Sequence, residues 1–493
     1  RCALRDARRP SVSALDDTAP DIDLVVIGCG VAGAAAAAAA AERAEELGAD
    51  LRIVVLERAP ADERGGNSRW TAAYLRMTDI DTPAPGFVDD LVANGQGHVR
   101  VEYAQRLAEQ AGPTLRWVQS KGVEFGELPT IFLTQARPRL LPVGGGRVVL
   151  DTLLADAERR GVTVGYGSTA HRITLDTDGS VHTISVSDDS GAVTQATVGA
   201  VIIASGGFEG SIDMMTEHVG ATPRTVAPGG MFNRGEGIAM ALDAGARGAG
   251  EWSLFHAEPV DPRSHREEAV VMIYPYGLLV DTNGRRFLDE GRSTVDEQYE
   301  DTARRILALP DHTAWIIADQ QVFDIPRFDD IVQTTLPPIT ADTIEELAVL
   351  IGVPIESLVR TVSDYNGAVQ PGAFDPLRPD GKGTVGLEPP KSNWARTLDR
   401  PPFVAWPQEC SNVFTFGGLD TDLDAVVVDR SGTPIGGLYA AGEVTGLYHG
   451  KYTGATSVLR GLVFGRIAGR HAVERCAAMR HDVPGSATTT ATT

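Results

Sequence analysis

Residues 23–33, DLVVIGCGVAG, together with the eight alanines at 34–41, decide how this chain folds. The run at 23–27 is short and apolar, which is typical of a buried parallel strand. The alanines and the charged residues 42–47 predict a helix that ends at Gly48. A second apolar run at 51–56 ends in Glu57. These segments together predict a βαβ unit with a GxGxxG turn between its first strand and its helix.

The three glycines of this turn have separate roles. Gly28 permits the tight turn, Gly30 lets the backbone approach a pyrophosphate at the helix N-terminus, and Gly33 lets the helix pack closely on the strand. Glu57 ends the second strand, where a carboxylate accepts hydrogen bonds from ribose hydroxyls. The pattern predicts a dinucleotide site, but by itself it does not separate FAD from NAD.

The acidic balance of the chain limits its partners. The 493 residues carry 66 acidic and 44 basic side chains, which gives a formal charge of −22. This charge repels phosphate backbones and anionic membranes, so we expect no nucleic-acid partner. No apolar run approaches the roughly 20 residues of a membrane helix, so we expect no membrane span. The length allows roughly two to four domains, or one large domain with a large insertion.

The four cysteines, at 2, 29, 410 and 476, are far apart and form no CxxC pair. They predict neither a disulfide framework nor a metal site, and they favour a reduced, cytoplasmic protein. Residues 1–21 are polar, and residues 479–493 end in Ser, Thr and Ala. Both segments are predicted to be flexible tails.

Two further motifs support a nucleotide site. The segment 64–70, RGGNSRW, offers backbone N–H groups and small side chains to phosphates. Far downstream, the segment 437–443, GLYAAGE, reads as a strand that ends in a glycine and an acid. A carboxylate there, Glu443, could hold ribityl hydroxyls. The pairing of two such distant motifs strengthens the prediction.

In these motifs and their order, the chain resembles the FAD-dependent fumarate reductase and succinate dehydrogenase flavoprotein superfamily from about residue 22 to about residue 475. It is most similar to the tricarballylate dehydrogenase branch, and the 3-ketosteroid Δ1-dehydrogenases are cousins. The matching stretches are GCGVAG at 28–33, GGNSRWTAAYLRM at 65–77, GGGRVVLDTLLADAERRGV at 144–162, VIIASGGFEGS at 201–211, NRGEGIAMALDAGA at 233–246, GLLVDTNGRRFLDEG at 277–291 and GLYAAGEVTGLYHGKYTGATSVLRGLVFGRIAG at 437–469.

The resemblance implies an α/β fold. A Rossmann-type FAD-binding domain is built from both chain ends, with an inserted α+β capping domain. The expected limits are 22–251 and 411–478 for the FAD-binding domain, 252–410 for the cap, and 1–21 and 479–493 for the tails. Within the cap, 271–280 and 286–288 read as strands, and 302–307 and 344–351 read as helices.

The resemblance also implies which residues contact the cofactor. The expected FAD contacts are Gly28, Gly30, Val31, Ala32, Gly33, Glu57, Arg58, Gly65, Gly66, Asn67, Ser68, Ala204, Ser205, Gly206, Glu236, Glu443, Thr456, Ser457 and Val458. The last three begin a helix whose N-terminal dipole would stabilise an anionic reduced flavin. Covalent members of the superfamily carry a histidine on the loop that corresponds to 67–71. None is present here, so we expect non-covalent FAD.

Two departures argue against fumarate and succinate as substrates. Fumarate reductases use a histidine in an HTMGG-like stretch and an arginine in an HGANRLGG-like stretch. This chain has FTFGG at 414–418 and HGKYTGAT at 449–456, with Thr453 at about the position of the arginine. Both dicarboxylate anchors are therefore missing.

The chemistry that remains is substrate dehydrogenation. The chain has no second GxGxxG in a strand–helix context and no dithiol, which disfavours a relay from nicotinamide through flavin to a disulfide. A base removes a proton beside a ketone or carboxylate, and hydride passes to flavin N5. The alternatives are an ene-reductase of the fumarate or urocanate type, a non-catalytic flavin redox sensor, and an NAD-binding enzyme. The electron acceptor is left unidentified, and the net charge favours a neutral or singly charged ketone.

Three residues are predicted to be catalytic. Tyr452 lies in a KYTGAT stretch that resembles the YPGPG-type loop of ketosteroid dehydrogenases, where a tyrosine polarises the substrate carbonyl. Arg292 follows RFLDEG, although the arginine of the reductases lies two residues further on, and His256 opens the cap. Tyr448, His449 and Arg460 are predicted to bind substrate. A structural role is the alternative for each, and Arg137 and Arg139 are weaker candidates.

Overall fold

The structure, a computed structural model, describes residues 20–220, 223, 225–226, 228–264 and 269–481. Most of the two predicted tails, 1–19 and 482–493, lies outside the described residues, and so does Cys2. The other three cysteines are buried free thiols. No helix in the described part of the chain is both long and apolar enough to cross a membrane.

The described chain contains eighteen strands and eleven α-helices. The strands are β1 (Ile22–Ile27), β2 (Ile53–Leu56), β3 (Phe125–Gly126), β4 (Leu141–Pro142), β5 (Thr163–Gly165), β6 (Ser168–Leu175), β7 (Val181–Asp188), β8 (Val193–Ile203), β9 (Thr225–Val226), β10 (Gly248–Ala249), β11 (Phe255–Val260), β12 (Leu278–Asp281), β13 (Thr313–Asp319), β14 (Ile339–Ala341), β15 (Phe403–Thr415), β16 (Gly418–Leu419), β17 (Val426–Val428) and β18 (Pro434–Ala440). The helices are α1 (Val31–Leu47), α2 (Phe87–Asn94), α3 (Val101–Ser120), α4 (Gly145–Arg159), α5 (Ile212–His218), α6 (Glu236–Asp243), α7 (Val295–Leu307), α8 (Phe328–Ile331), α9 (Ile344–Ile351), α10 (Ile355–Ala368) and α11 (Ser457–His481).

The larger sheet contains strands from both ends of the chain. Its main path runs β17-β18-β8-β1-β2-β5, and β7 joins β8 to β6 by antiparallel pairing. The central strand β1 pairs in parallel with β2 on one side and with β8 on the other. The chain therefore crosses to opposite sides of β1, and the crevice at its carboxyl end is where such sheets bind dinucleotides.

Helix α1 packs on this sheet side by side with the last helix, α11, which also contacts β8 and β18. All eight alanines at 34–41 are buried. The facing side of α11 carries glycines: a Cβ atom built on Gly465 would lie 2.4 Å from the Ala32 carbonyl oxygen, and one on Gly469 would lie 2.2 Å from that of Ala36. Small residues on both helices thus permit a very close approach, which fixes the position of the α11 N-terminus relative to the GxGxxG turn.

A second sheet of six strands is built around β15. Its path is β11-β15-β13-β12, and β14 and β9 also pair with β15. The predicted helix at 344–351 is α9, and the predicted helix at 302–307 is the second half of α7. The predicted strand at 271–280 is wrong in its first part, because a 3₁₀ turn at Tyr274–Tyr276 containing Pro275 precedes β12. The predicted strand at 286–288 is reduced to one bridge between Val280 and Arg286.

The strand β15 belongs to the second sheet and extends to the crevice of the larger sheet. It runs without interruption from Phe403 to Thr415, past the predicted domain limit at 410. Its first half pairs with β13, and its second half pairs with β11. Its last residues, including Phe414, reach the crevice beside β1, so this strand brings the second sheet to the nucleotide turn.

Candidate FAD and substrate site

A cavity is lined by residues of both sheets. Its walls contain two groups of residues, one around the GxGxxG turn and one rich in aromatic side chains. The first group is Ile27–Ala32, Leu56–Arg58, Gly65–Ser68, Ser168–Ala170, Ala204–Gly206, Phe232, Asn233, Glu236, Gly237, Ala441–Glu443, Ser457, Val458, Arg460 and Gly461. The second group, which we name the chamber, is Trp70, Thr71, Tyr74, Ile131, Phe132, Arg139, His256, Glu258, Tyr299, Val413, Phe414, Tyr452 and Ala455.

The GxGxxG turn presents a helix N-terminus to the cavity. The Val31 N–H donates to Ser68 Oγ at 3.1 Å, which ties the start of α1 to the loop predicted to bind phosphate. Gly33 does not line the cavity. A Cβ atom there would lie 2.0 Å from the Gly28 carbonyl oxygen, so Gly33 serves the close contact of helix and strand. Backbone N–H groups at such a terminus are suited to a pyrophosphate.

Glu57 and Arg58, which were predicted to contact FAD, lie next to each other in the cavity wall. The Glu57 carboxylate accepts hydrogen bonds from the backbone N–H groups of Cys29 and Ala59, each at 2.8 Å. Burial raises the pKa of Glu57, although these hydrogen bonds oppose the shift. The Arg58 guanidinium forms an ion pair with Glu236 at 2.7 Å. The sequence did not identify Ser168, Thr169 and Ala170, which lie on β6 and line the same cavity.

Two buried carboxyl groups meet near the middle of the cavity. Glu443 lines the wall, and Glu209 lies behind it. Glu209 Oε1 accepts hydrogen bonds from the amides of Asn67 and Asn233, each at 2.7 Å. The Glu443 Oε1 atom accepts from the Thr415 N–H at 3.0 Å. Burial, followed by repulsion from Glu443, raises the pKa of Glu209 well above its ordinary value, and burial also raises the pKa of Glu443.

The residues around this pair fit a flavin dinucleotide. Asn67 Oδ1 is buried and accepts no hydrogen bond within the described residues. A ribityl hydroxyl or a ring N–H is the kind of donor that would satisfy it. The lining includes Glu57, the N-terminal residues of α1, and Ser457 and Val458 at the N-terminus of α11. Such a lining suits the phosphate and hydroxyl groups of a dinucleotide.

The chamber is a ring of aromatic side chains. The Tyr452 ring lies 4.5 Å from the His256 ring and 5.0 Å from the Phe414 ring, measured between centroids. The Tyr299 ring lies 5.0 Å from Phe132 and 5.6 Å from His256. The walls therefore suit a flat, mainly apolar body of a ligand.

Tyr452 has its hydroxyl at the N-terminus of α11. The oxygen accepts hydrogen bonds from the backbone N–H groups of Thr456 and Ser457, each at 3.2 Å, and the hydroxyl donates to Ser457 Oγ at 3.0 Å. Thr456 itself is buried off the cavity wall, where its hydroxyl meets the Tyr448 hydroxyl at 2.8 Å. Tyr452 thus joins the chamber to the helix terminus, and its proton is directed at a serine rather than a strong acceptor.

His256 and Glu258 lie two residues apart on β11, so they share one face of the strand. The His256 Nε2 atom lies 3.4 Å from the Tyr299 hydroxyl oxygen and 3.5 Å from Glu258 Oε1. The other ring nitrogen, Nδ1, is buried and has no partner within the described residues. The pair of His256 and Tyr299 is therefore a candidate proton relay that faces Tyr452.

Several of the predicted site residues do not reach the cavity. The Arg292 side chain is 50% exposed and forms an ion pair with Asp301 at 2.9 Å. His449 stacks on His98 with ring centroids 5.0 Å apart, and Tyr448 is buried beneath Arg460. None of these three side chains lines the wall. The segment that follows RFLDEG turns towards solvent just before α7, which explains the position of Arg292.

Two arginines do line the cavity. Arg460 is buried, donates to the Thr445 carbonyl oxygen at 3.0 Å and lies over the Tyr448 ring. Arg139 is buried in the chamber wall and lies over the Phe132 ring at 4.9 Å. The sequence ranked Arg139 low and missed Tyr299 and Glu258, because these residues lie in three separate segments with no shared motif.

Comparison with known proteins shows the family to which this chain belongs. A family model described as an FAD binding domain matches residues 23–459. A probable fumarate reductase of Shewanella frigidimarina is 26% identical over 465 residues, which cover 92% of this chain and 74% of that protein. A 4-oxocyclohexanecarboxylate 2-dehydrogenase of Sinomonas cyclohexanicum is 29% identical over 373 residues, which cover 68% of this chain and 62% of the relative.

One solved structure, an open conformation of a flavocytochrome fumarate reductase, matches with a TM-score of 0.75 at 25% identity. The match covers 92% of this chain and 78% of the other. The chain spans only 39% of the length of another curated relative. The activity of that longer protein therefore involves segments that the match with this chain does not cover.

Proposed function

Since this chain belongs to the FAD binding domain family and is an FAD-dependent oxidoreductase, we propose that it desaturates a small ketone beside its carbonyl group. Family membership confirms the cofactor and the superfamily predicted from the sequence. The observation that carries the proposal is the meeting of Tyr452, His256 and Tyr299 in one aromatic chamber at the end of the cavity. A hydrogen-bond donor for a carbonyl and an acceptor for a proton face the same space.

Two features favour a cyclic ketone over a dicarboxylate. Phe414 lines the chamber at the position where the fumarate reductases carry a histidine, and Thr453 is buried off the wall and hydrogen-bonded to Asn94 at 3.1 Å. The aromatic walls suit a flat ring. The relative from Sinomonas, by its name, acts on a ring ketone, which supports the same class of substrate here.

Non-covalent FAD would be held by the residues of the first wall group. The start of α1 would bind the pyrophosphate, Glu57 the ribose, and Asn67 with Glu443 the ribityl chain. Ser457 and Val458, at the start of α11, would lie against the ring system. When bound, FAD supplies the acceptor for a hydride that leaves the substrate carbon.

Tyr452 polarises the substrate carbonyl in this proposal. Its hydroxyl accepts two backbone N–H bonds, so its own proton is free to turn from Ser457 Oγ to the ketone oxygen. The two backbone N–H groups at the helix terminus stabilise the negative charge that the Tyr452 oxygen gains as its proton is shared with the ketone oxygen. Polarisation acidifies the neighbouring C–H bond, as donors in an oxyanion hole do.

The proton from that C–H bond passes to the Tyr299 and His256 pair. Burial, with repulsion from Glu258 and Glu300, raises the pKa of Tyr299 well above its ordinary value, so Tyr299 is a poor base alone. His256 Nε2 at 3.4 Å can take the hydroxyl proton as Tyr299 accepts the one from carbon. Glu258 stabilises the imidazolium that results.

The reverse reaction, reduction of an enone or enoate, uses the same groups. The fumarate reductase relatives favour it as the second candidate. A flavin redox sensor without turnover is the candidate from another class. The physiological direction depends on the partner that would exchange electrons with the flavin.

Replacement of Tyr452 by Phe tests the proposal. We expect kcat for ketone desaturation to fall roughly 100- to 1000-fold, because one polarising donor is lost. The measurement is anaerobic single-turnover reduction of the flavin by the ketone. Tyr439→Phe is the matched control, since that buried hydroxyl contacts His471 at 3.1 Å, away from the chamber.

Unchanged turnover in Tyr452→Phe, with the control equally active, would remove Tyr452 from the mechanism. Absence of turnover in the wild-type protein with every ketone and enone tried would favour the sensor instead. Thermal melting of the variant guards against a folding effect, because Tyr452 also caps α11.

We further propose a domain division close to that expected from the sequence. The FAD-binding domain comprises 22–251 and the C-terminal part up to 478, and the cap begins near 252. Because β15 continues to Thr415, the cap ends nearer to 415 than to 410.

A further inference from the structure

The Arg139 guanidinium is a buried cation in the chamber wall that the proposed reaction does not use. Its side chain is 4% exposed, and its faces lie over the rings of Phe132 and Tyr74 at 4.9 and 5.7 Å. One nitrogen, Nη2, pairs with Asp296 at 3.2 Å. Among the described residues, the buried Nε atom has no hydrogen-bond partner. A buried guanidinium with a donor to spare beside a cavity points to an anionic ligand.

Asp296 does not complete the coordination of Arg139. Its two carboxylate oxygens already accept from the Ala136 N–H at 3.0 Å, and one also accepts from the Thr294 hydroxyl at 2.7 Å. The carboxylate therefore serves the start of α7 as well as Arg139. A bidentate pair, in which two guanidinium nitrogens face two oxygens, is not formed with it.

Three arginines lie close together behind the chamber wall. Arg76 and Arg137 share one carboxylate, Asp90, and Arg139 shares none of it. Asp296 pairs with Arg139, and Glu297 and Asp296 also attract Arg137. Burial, with repulsion from Arg139 and Arg137, lowers the pKa of Arg76, which indicates how close the three cations lie.

Arg139 also lies near the loop that carries Tyr452. Its Nη2 atom lies 3.3 Å from the point where a Cβ atom on Gly454 would stand, two residues from Tyr452. A side chain at 454 would fill this space. The one acidic side chain of the described chamber wall, Glu258, pairs with His256 on β11. A ligand can therefore reach Tyr452 and Arg139 together.

We propose that Arg139 binds a single carboxylate of the substrate, so that the preferred substrate is an oxo acid with one ketone and one carboxylate. This rests on the proposed ketone desaturation: Tyr452 holds the carbonyl end and Arg139 the acid end. Arg139 acts as a specificity residue and takes no part in proton or hydride transfer. Arg139 supplies a positive charge for the carboxylate, since this chain lacks the two residues that anchor the dicarboxylate in fumarate reductases. Its local attraction outweighs the repulsion of an anionic substrate by a chain with a formal charge of −22.

The test is a binding titration of the FAD-loaded protein, read from the change in the flavin absorbance spectrum without turnover. The probes are 4-oxocyclohexanecarboxylate, its uncharged methyl ester and cyclohexanone, each mixed anaerobically with the reduced protein. We expect the acid to bind roughly 10- to 100-fold more tightly than the ester. Arg139→Gln abolishes this preference, and Arg139→Lys retains part of it.

Arg137→Gln is the matched control, because it removes the same charge from the same loop at a half-exposed side chain that pairs with Asp90. We expect it to change the preference by about threefold or less. Equal binding of acid and ester by the wild-type protein, or a preference that survives Arg139→Gln, would overturn the proposal. If Arg137→Gln lost the preference for the acid as fully as Arg139→Gln, the proposal would also be overturned. The preference would then come from the overall electrostatic potential of the surface rather than from contact with Arg139.

Failure of the proposed function gives a different result. If ketones do not reduce the flavin, the desaturation is wrong, whereas the preference for acid over ester and its loss in Arg139→Gln still report on Arg139. If cyclohexanone reduces the flavin and the acid has no advantage in binding, the desaturation stands and the carboxylate site is wrong.

Discussion

The burial of Glu209 has a consequence for behaviour with pH. Two amides donate to its Oε1 atom, and its Oε2 atom has no hydrogen-bond partner within the described residues. Burial and the neighbouring Glu443 raise the pKa of Glu209 well above its ordinary value. Because the folded pKa is raised, folding takes up a proton, and the stabilisation from it is lost as pH rises from the ordinary pKa of a glutamate towards the folded pKa.

Glu209→Gln should remove this dependence on pH. The glutamine carbonyl can accept from Asn67 and Asn233, and its amide can donate to Glu443, so the network is preserved without a titrating proton. We expect the melting temperature of the variant to fall less than that of the wild-type protein between about pH 5 and about pH 9. Melting curves of the FAD-loaded proteins measure this, with Glu209→Ala as the comparison that breaks the network. Parallel pH profiles of Glu209→Gln and wild type would contradict it.

Single residues show what sequence reasoning reaches and what it does not. Gly28, Gly30, Glu57 and Glu443 were found from the sequence because each belongs to a motif next to its own strand. Glu209 lies in GGFEG and reads like a surface acid, and only the pairing of distant segments reveals that it is buried. Arg292 was chosen by its place after a motif, but the turn before α7 directs it to solvent.

At the scale of elements, the contact of α1 with α11 sets the geometry of the site, because both helices point their N-termini at the cavity. Gly465→Ala should therefore weaken the whole protein. Its Cβ atom would stand 2.4 Å from the Ala32 carbonyl oxygen, so the helices must move apart. We expect a loss of about 1–3 kcal/mol in the free energy of unfolding, measured by denaturant titration.

Gly367→Ala, inside α10, is the matched control for that change. No atom lies within 4 Å of a Cβ at this position, so alanine adds helix propensity without a clash. It should stabilise by about 0.5–1 kcal/mol. Equal effects of the two substitutions would show that the spacing of α1 and α11 is not under tight control.

The elements also show where a pattern is ambiguous. The helix at 344–351 was predicted to the residue, because its apolar spacing, Thr343 cap and Gly352 end agree. The apolar run at 271–280 was predicted as one strand, but Pro275 supports a 3₁₀ turn in place of its first part. A continuous apolar run fits a buried turn as well as a buried strand, and only packing against the rest of the chain decides between them.

At the scale of the whole molecule, the cavity is lined from both sheets, so bound FAD should stabilise both. Removal of FAD should lower the melting temperature, since a ligand present at about 1,000 times its Kd contributes about 4 kcal/mol to the folded state. Differential scanning calorimetry of loaded and FAD-free protein measures this. Flavin should also appear in the supernatant after acid denaturation, because no covalent anchor is expected. Flavin that stays with the precipitate would contradict non-covalent binding.

The most direct test of the central claim is anaerobic mixing of the oxidised, FAD-loaded protein with saturated cyclic ketones and oxo acids. Desaturation predicts that at least one of them bleaches the visible flavin absorbance in a single turnover and yields the conjugated enone. If none bleaches the flavin, while an enone or enoate reoxidises the reduced protein, the account is contradicted and the protein is an ene-reductase.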